Sequence, residues 1–343
     1  MHDPKIIEKL KQTAKAMVAH GKGILAADES TATIEKRLAK INVPSTEITR
    51  RDYREMLFTT PGLSDHISGV ILFDETFRQS GSDGRTFVSF LKEVGIMPGI
   101  KVDKGLAPMD GSPEEKVTKG LDDLADRLKE YAELGAHFCK WRAVYVITDT
   151  TPTDANIEQN AKDLAAYALA CQRAGLVPIV EPEVLMDGVH TIKRCEEVSE
   201  KVLEAVFREL DKAGVILEGI ILKPNMVLPA KDSGEMAHPE EIAEATLRVF
   251  NKHLPESLTG VAFLSGGQSE IEATQNLHAI NAKGPHPWKI SFSYGRALQD
   301  SALKAWEGKE ENKKLAQEKL LHRAKMKGLA SKGEYDRELD WKE

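Results

Sequence analysis

Cysteine is scarce: the 343 residues hold three, at Cys139, Cys171 and Cys195, and none belongs to a CxxC pair. So few and scattered thiols exclude a disulfide framework and a thiolate zinc clasp, and they fit a reducing compartment. Ten histidines are present, but none stands in HxH or HExxH spacing at the end of an apolar run. No metal or other cofactor is therefore expected. No apolar run approaches the roughly 18 residues of a membrane span, and MHDPKIIEKLKQTAKAMVAH lacks a signal peptide's apolar stretch. No membrane role is expected. Charge of one sign is missing too: 47 Lys and Arg stand against 54 Asp and Glu, a net charge of −7. That balance disfavours nonspecific binding to nucleic acid or anionic lipid, while leaving room for a local basic pocket. The expectation is a soluble cytoplasmic protein.

What is present is a recurrence. Eight short apolar runs punctuate the chain: GKGILAADES near 23, SGVILFDE near 69, PGIKVDKG near 98, AHFCKWRAVY near 136, LVPIVEPE near 176, EGIILKPN near 218, GVAFLSGG near 260 and WKISFSYG near 288. Their starts lie roughly 30 to 45 residues apart, room for one crossover helix and two loops. Between them, residues 114–134 read as a helix with Val117, Leu121, Leu124, Leu128 and Tyr131 on one face after a Ser112-Pro113 start. Residues 156–174 and 190–213 repeat the pattern and stop at Gly175 and Gly214.

Eight strand-helix units predict an α/β fold, a closed (β/α)8 TIM barrel in a single domain. A doubly wound sheet is disfavoured because no GxGxxG follows the first run. No low-complexity linker interrupts residues 20–300, so the reading is one barrel domain over 1–343. An amphipathic helix over 1–20 precedes it, extra helix occupies 31–60, and a charged helix and tail over 297–343 follow, the last dozen residues mobile.

Barrel active sites form at the carboxyl ends of the strands. There the runs carry Asp28, Asp74, Lys101, Asp103, Lys140, Arg142, Glu181, Glu183 and Lys223. Alternation puts Lys101/Asp103, Lys140/Arg142 and Glu181/Glu183 each on one face. Lys223 follows the apolar EGIIL and is cut off by Pro224-Asn225, which projects one amine from a hydrophobic wall. Burial and a second ammonium such as Lys140 lower a lysine pKa and release neutral amine to attack a carbonyl, giving a Schiff base. Glu181, Glu183 and Asp28 supply the acid and base that this chemistry needs. The competing reading is an ion-pair network that merely fills the mouth.

A second constellation follows the last two runs, at Leu264-Ser265-Gly266-Gly267-Gln268 and Ser293-Tyr294-Gly295-Arg296. Glycines admit backbone amides to an anion, hydroxyls add donors and Arg296 adds fixed charge, so phosphate is the expected ligand. A tight strand-to-helix turn would also use such glycines. Trp141 alternates with Lys140 and Arg142 and is expected to pack under the helix layer. His137 and the cysteines read as structural.

The strings GKGILAADEST, GVILFDET, GIKVDKG, FCKWRAVY, VPIVEPEVL, LKPNMV, FLSGGQS and FSYGRALQDSALKAW resemble those of class I fructose-bisphosphate aldolases, in order from about residue 20 to 310. The resemblance implies reversible cleavage of fructose 1,6-bisphosphate into dihydroxyacetone phosphate and glyceraldehyde 3-phosphate through a lysine Schiff base, without a metal, in a homotetramer. It implies Lys223 as the Schiff-base residue, Glu181 as the acid/base of carbinolamine dehydration with Lys140 as its partner, and Asp28 as a group orienting substrate hydroxyls during cleavage. Glu183 and Lys101 complete the polar network. Ser265, Gly266, Ser293, Gly295 and Arg296 resemble the site of the C1 phosphate; Ser30, Arg37 and Arg142 resemble contributors to the other phosphate's site. Two departures stand out. Asp74 occupies a position where animal members commonly carry His, and the terminal tyrosine of many animal members has no counterpart in ELDWKE, where the nearest tyrosine is Tyr335.

Overall fold

In the computed structural model, which describes residues 3–340, all eight apolar runs become strands. They are β1 (Gly23–Ala27), β2 (Ile67–Leu72), β3 (Met97–Lys101), β6 (Phe138–Tyr145), β7 (Val177–Val184), β8 (Ile221–Leu222), β9 (Gly260–Phe263) and β10 (Lys289–Tyr294). They close into one ring in the order β1-β10-β9-β8-β7-β6-β3-β2. Every neighbouring pair is parallel. β4 (Leu106–Met109) and β5 (Ser112–Thr118) form a separate antiparallel hairpin after β3. The chain is thus the expected single (β/α)8 barrel.

Side chains alternate between two apolar layers. Ile24 and Ala26 of β1, Ile71, Phe138, Val177, Ile179, Ile221 and Ala262 face into the barrel and cluster there. Their neighbours Leu25, Ala27, Cys139, Trp141, Val180 and Leu222 face outward against the helices. Phe138 fills the barrel because its neighbours give way: a Cβ on Gly99 would lie 2.1 Å, and one on Gly69 2.9 Å, from its ring. Helix α1 (Pro4–Met17) supplies Leu10, Ala14 and Met17 to this inner cluster and plugs the amino-terminal end. The outer layer is built by α2 (Thr31–Ala39), α3 (Glu47–Phe58), α4 (Asp74–Arg78), α5 (Phe87–Glu93), α6 (Leu124–Glu133), α7 (Asp154–Arg173), α8 (Ile192–Lys212), α9 (Pro239–His253), α10 (Glu270–Ala282), α11 (Arg296–Trp306) and α12 (Lys313–Ala330). As expected, Trp141 is fully buried and stacks on Tyr167 of α7 with ring centroids 5.5 Å apart.

Two expectations fail. Residues 114–134 are not one helix: Ser112–Thr118 is β5, and α6 starts only at Leu124. Partners on α7 decide this. The buried Glu115 carboxylate accepts from Thr153 N at 2.7 Å and Thr153 Oγ1 at 2.8 Å. Asn156 and Asn160 both donate to the Lys116 carbonyl, and Gly120, at φ +118°, then turns the chain. Leu124, Leu128 and Tyr131 remain the buried face of the shorter helix. The last dozen residues are also docked as far as they are described. Tyr335 is buried and donates to Asp340, whose side chain is 1% exposed and pairs with Arg323 at 2.8 Å. Residues 341–343, like 1–2 at the start of the expected first helix, lie outside the described residues.

Candidate active site

The alternation that lines the barrel with apolar groups continues past the strand ends with charges. Ile24 and Ala26 lead to Asp28; Phe138 leads to Lys140 and Arg142; Val177 and Ile179 lead to Glu181 and Glu183; Ile221 leads to Lys223. With Lys101 and Asp103 they line one cavity of about 1040 Å³ at the carboxyl end of the ring. Each of the three charged pairs expected to share a face does so.

At its floor, four charges interlock. Lys223 Nζ lies 3.1 Å from Glu181 Oε1, and Lys140 Nζ lies 3.3 Å from Glu181 Oε2 and 2.7 Å from Asp28 Oδ2. Lys140, Glu181 and Lys223 are each 3 or 4% exposed. Burial works to raise the Asp28 pKa, but the ammoniums of Lys140 and Lys223 outweigh it and hold this carboxyl well below the usual range. Burial likewise opposes the charged form of Lys140, and Asp28 and Glu181 overcome it, so its pKa is raised. Lys140 is thus a fixed ammonium and Asp28 a fixed carboxylate.

Two further pairs ring this floor. Lys101 donates to both the carboxylate and, at 2.9 Å, the carbonyl of Asp103. Arg142 donates through Nε to Glu183. All three pairings balance their charges, two cations against two anions at the floor and one against one in each flanking pair.

Arg296 and Arg37 stand at the β1, β9 and β10 lip, Arg37 in an ion pair with Glu29. Ser265, Gly266, Ser293, Gly295 and Arg296 line the same cavity. Gly266, at φ +59°, turns the chain after β9, and the Ser293 hydroxyl is buried with no hydrogen-bond partner. α11 begins at Arg296 and presents its amino-terminal amides here. Ser30 and Arg37 join them from α2: Ser30 is its N-cap residue, and Arg37 Nη2 comes 3.7 Å from where a Gly295 Cβ would stand. Arg37 therefore sits beside Gly295, while Arg142, on the opposite side of the ring four strands away, does not.

Glu29, Thr33, Lys36 and Lys40, which the strand-end pattern does not single out, also line the cavity. Thr33 Oγ1 lies 3.1 Å from Ser30 Oγ. The signal was legible: Ser30, Thr33 and Arg37 fall at helical spacing from the N-cap of α2, and Lys36 and Lys40 fall four apart at its carboxyl end. Asp74 starts α4 at the cavity rim, where it accepts from Tyr131 Oη at 2.7 Å and Arg78 Nε at 2.9 Å. Tyr335 lies outside this cavity. Among the described residues, no group of three or more His, Cys, Asp or Glu is arranged to hold a metal ion, and no helix is long and apolar enough to cross a membrane.

Comparison with known proteins converges on one family. The family model described as fructose-bisphosphate aldolase class-I matches residues 9–343. "Fructose-bisphosphate aldolase 4, cytosolic" of Arabidopsis thaliana is 55% identical over 92% of this chain and 80% of its own. "Probable fructose-bisphosphate aldolase class 1" of Xanthomonas campestris is 51% identical over 96% of this chain and 99% of its own. Fructose-bisphosphate aldolase from Plasmodium falciparum, crystallised with TRAP and a small-molecule inhibitor, superposes with a TM-score of 0.96 at 50% identity, covering 97% of each chain.

Proposed function

The chain belongs to the class I fructose-bisphosphate aldolase family, and from that premise we propose how its own residues carry the reaction. It is a lyase that reversibly cleaves fructose 1,6-bisphosphate to dihydroxyacetone phosphate and glyceraldehyde 3-phosphate through a lysine Schiff base. The observation that carries the assignment is the buried chain Asp28–Lys140–Glu181–Lys223 at the floor of the mouth.

Lys223 is the nucleophile. Glu181, 3.1 Å away, takes a proton from its ammonium, and the free amine adds to the C2 carbonyl. Glu181 then returns a proton to the carbinolamine hydroxyl, water leaves, and a protonated imine remains. Lys140 is already held as an ammonium, so it competes poorly as a nucleophile. Asp28, held ionised, accepts the hydrogen bond of a substrate hydroxyl. As the C4 hydroxyl passes its proton to Glu181, which gave one up in the dehydration, the C3–C4 bond breaks, its electron pair moves to the iminium, and an enamine and an aldehyde form. Protonation at C3 and hydrolysis then release dihydroxyacetone phosphate and regenerate the lysine.

Ser265, Gly266, Ser293, Gly295 and Arg296 bind the C1 phosphate through amides, hydroxyls and one guanidinium. Ser30, Arg37 and Arg142 serve the second phosphate, and Lys101 with Glu183 completes the polar network around the sugar. Two anchored ends hold C2 over Lys223 and use remote binding energy for orientation. The chain acts as one domain and assembles as a homotetramer in the cytoplasm. The family resemblance and the cytosolic or cytoplasmic names of plant relatives support this. Sedimentation at micromolar concentration checks the assembly.

Borohydride reduction in the presence of dihydroxyacetone phosphate tests the mechanism. Only an iminium is reduced to a stable secondary amine, so peptide mapping should place the adduct on Lys223. An adduct elsewhere, or undiminished turnover by Lys223→Met, would overturn the assignment.

A further inference from the structure

One carboxylate at the mouth carries two arginines. Glu29, the residue after Asp28, has a side chain 4% exposed. Its Oε1 accepts from Arg37 Nη1, and its Oε2 lies 2.6 Å from Nη1 of Arg54 on α3. Arg54 is itself 2% exposed, reaches the Glu29 carbonyl through Nη2 at 3.4 Å, and leaves its buried Nε without an acceptor. Unlike Arg37, it does not line the cavity.

Three charges with a surplus cation make a poor stability device. A buried ion pair barely repays its desolvation, and a second buried arginine on the same carboxylate adds a further penalty. The flanking pairs in this mouth are one to one; here two arginines share one carboxylate, and Asp28 and Asp300 act on Arg37 only from beyond ion-pair distance. The surplus is directed: Arg37 carries Nη2 toward Gly295, at the lip where Arg296 and the α11 amides also converge. With Arg37 as its only partner, Glu29 would draw that guanidinium onto itself and cancel its charge. Arg54 takes the second oxygen from behind. The carboxylate is then shared, and Arg37 is oriented by a hydrogen bond without being neutralised.

We propose that Glu29 and Arg54 are positioning residues, which hold Arg37 at the lip as an uncancelled cation for a substrate phosphate. Arg54 acts without touching substrate. α3 anchors it from behind: Tyr53 Oη donates to Gln299 Oε1 at 2.9 Å, and Gln299 Nε2 donates to the Ala26 carbonyl at 2.7 Å, which ties this helix to the end of β1. The inference rests on Arg37 binding phosphate, and its test separates the two claims.

The experiment is a double-mutant cycle on the full chain, with kcat and KM for fructose 1,6-bisphosphate and the inhibition constant of inorganic phosphate as readouts. Arg37→Met should raise KM. Arg54→Met should raise KM on the order of tenfold, with kcat within about threefold of the parent and phosphate inhibition weakened in the same ratio. In the Arg37→Met background, Arg54→Met should add less than about twofold, because its effect passes through Arg37. A purely structural role would lower the melting temperature without moving KM and phosphate inhibition together. If Arg54→Met does not fold by circular dichroism, Arg54→Lys runs the same cycle, keeping the charge while losing the planar fork. Unchanged KM in Arg37→Met removes the premise. A raised KM there, with additive losses or none from Arg54, overturns the inference and leaves the role of Arg37 standing.

Discussion

Glu181 Oε1 lies 3.1 Å from Lys223 Nζ, the two side chains projecting from adjacent strands of the ring. Both are buried, so a proton released by the amine passes to the carboxylate without entering water. Glu181→Gln keeps the shape and the donor capacity of the site but removes the base. Turnover should fall by roughly 10²–10⁴-fold, and the rate of borohydride-trappable imine formation should fall with it. A variant that forms imine at the parental rate would show that another group performs the dehydration.

Lys140 joins Asp28 and Glu181; Glu181 keeps Lys223, so removal of Lys140 strands the carboxylate of Asp28. Lys140→Met should therefore cost stability, about 3–5 kcal/mol for an uncompensated buried charge, as well as turnover. Lys140→Met combined with Asp28→Asn should recover part of the stability and none of the activity. Urea melts of the three variants decide this; a double variant no more stable than the single would contradict the ion-pair account.

Gly99 is glycine because Phe138 occupies the space where its Cβ would stand. Gly99→Ala should destabilise by roughly 1–3 kcal/mol, the usual range for overpacking. Phe138→Leu in the same chain should restore part of that loss. Independent, additive penalties in a thermal or urea melt would mean that the two residues do not share one volume.

Lys327 of α12 is fully buried, its amine donating to the Glu270 carbonyl at 2.7 Å. Burial, reinforced by Arg323, pulls its pKa from the ordinary 10.5 down to about 7 despite Glu270 and Asp340. Between those values the unfolded chain binds more protons than the folded one, so this residue makes stability rise with pH, by up to ~1 kcal/mol per unit. Comparing urea midpoints at pH 7 and 9, the parent should gain more than Lys327→Met. Equal gains would refute the burial of an uncharged amine.

An iminium is its own electron sink, so the carbon-carbon cleavage step draws on no Lewis acid. Exhaustive dialysis against EDTA should leave kcat/KM unchanged. A loss restored by zinc would be the contrary result.

Much of this site was legible because a barrel strand has period two. Once the apolar positions of EGIIL, VPIV and GILAA are given a parity, the same parity carries Lys223, Glu181 and Asp28 into the mouth, and the local string suffices. The eight runs and the helices ending at Gly175 and Gly214 are legible for the same reason, since periodicity and stop signals are local. Residues 114–134 show where this fails. Their apolar spacing fits a helix, yet Glu115 is claimed by Thr153 and Lys116 by two asparagines of α7, partners that stand nearly forty or more residues later. Asp340 is held by Arg323 in the same way, and no pattern near the end of the chain announces that.

The ring of strands, the lysine at the end of the sixth apolar run and the glycines after the last two runs could be read from the chain alone, because each follows from local alternation or backbone freedom. Only the tertiary structure decided which charges cancel. It paired Lys140 with two carboxylates, balanced Arg142 against Glu183, and set two arginines on the Glu29 carboxylate, Arg37 at the lip and Arg54 behind. Composition counts charges, whereas the electrostatics of a buried site depend on separations of about 3 Å between residues that the chain holds far apart.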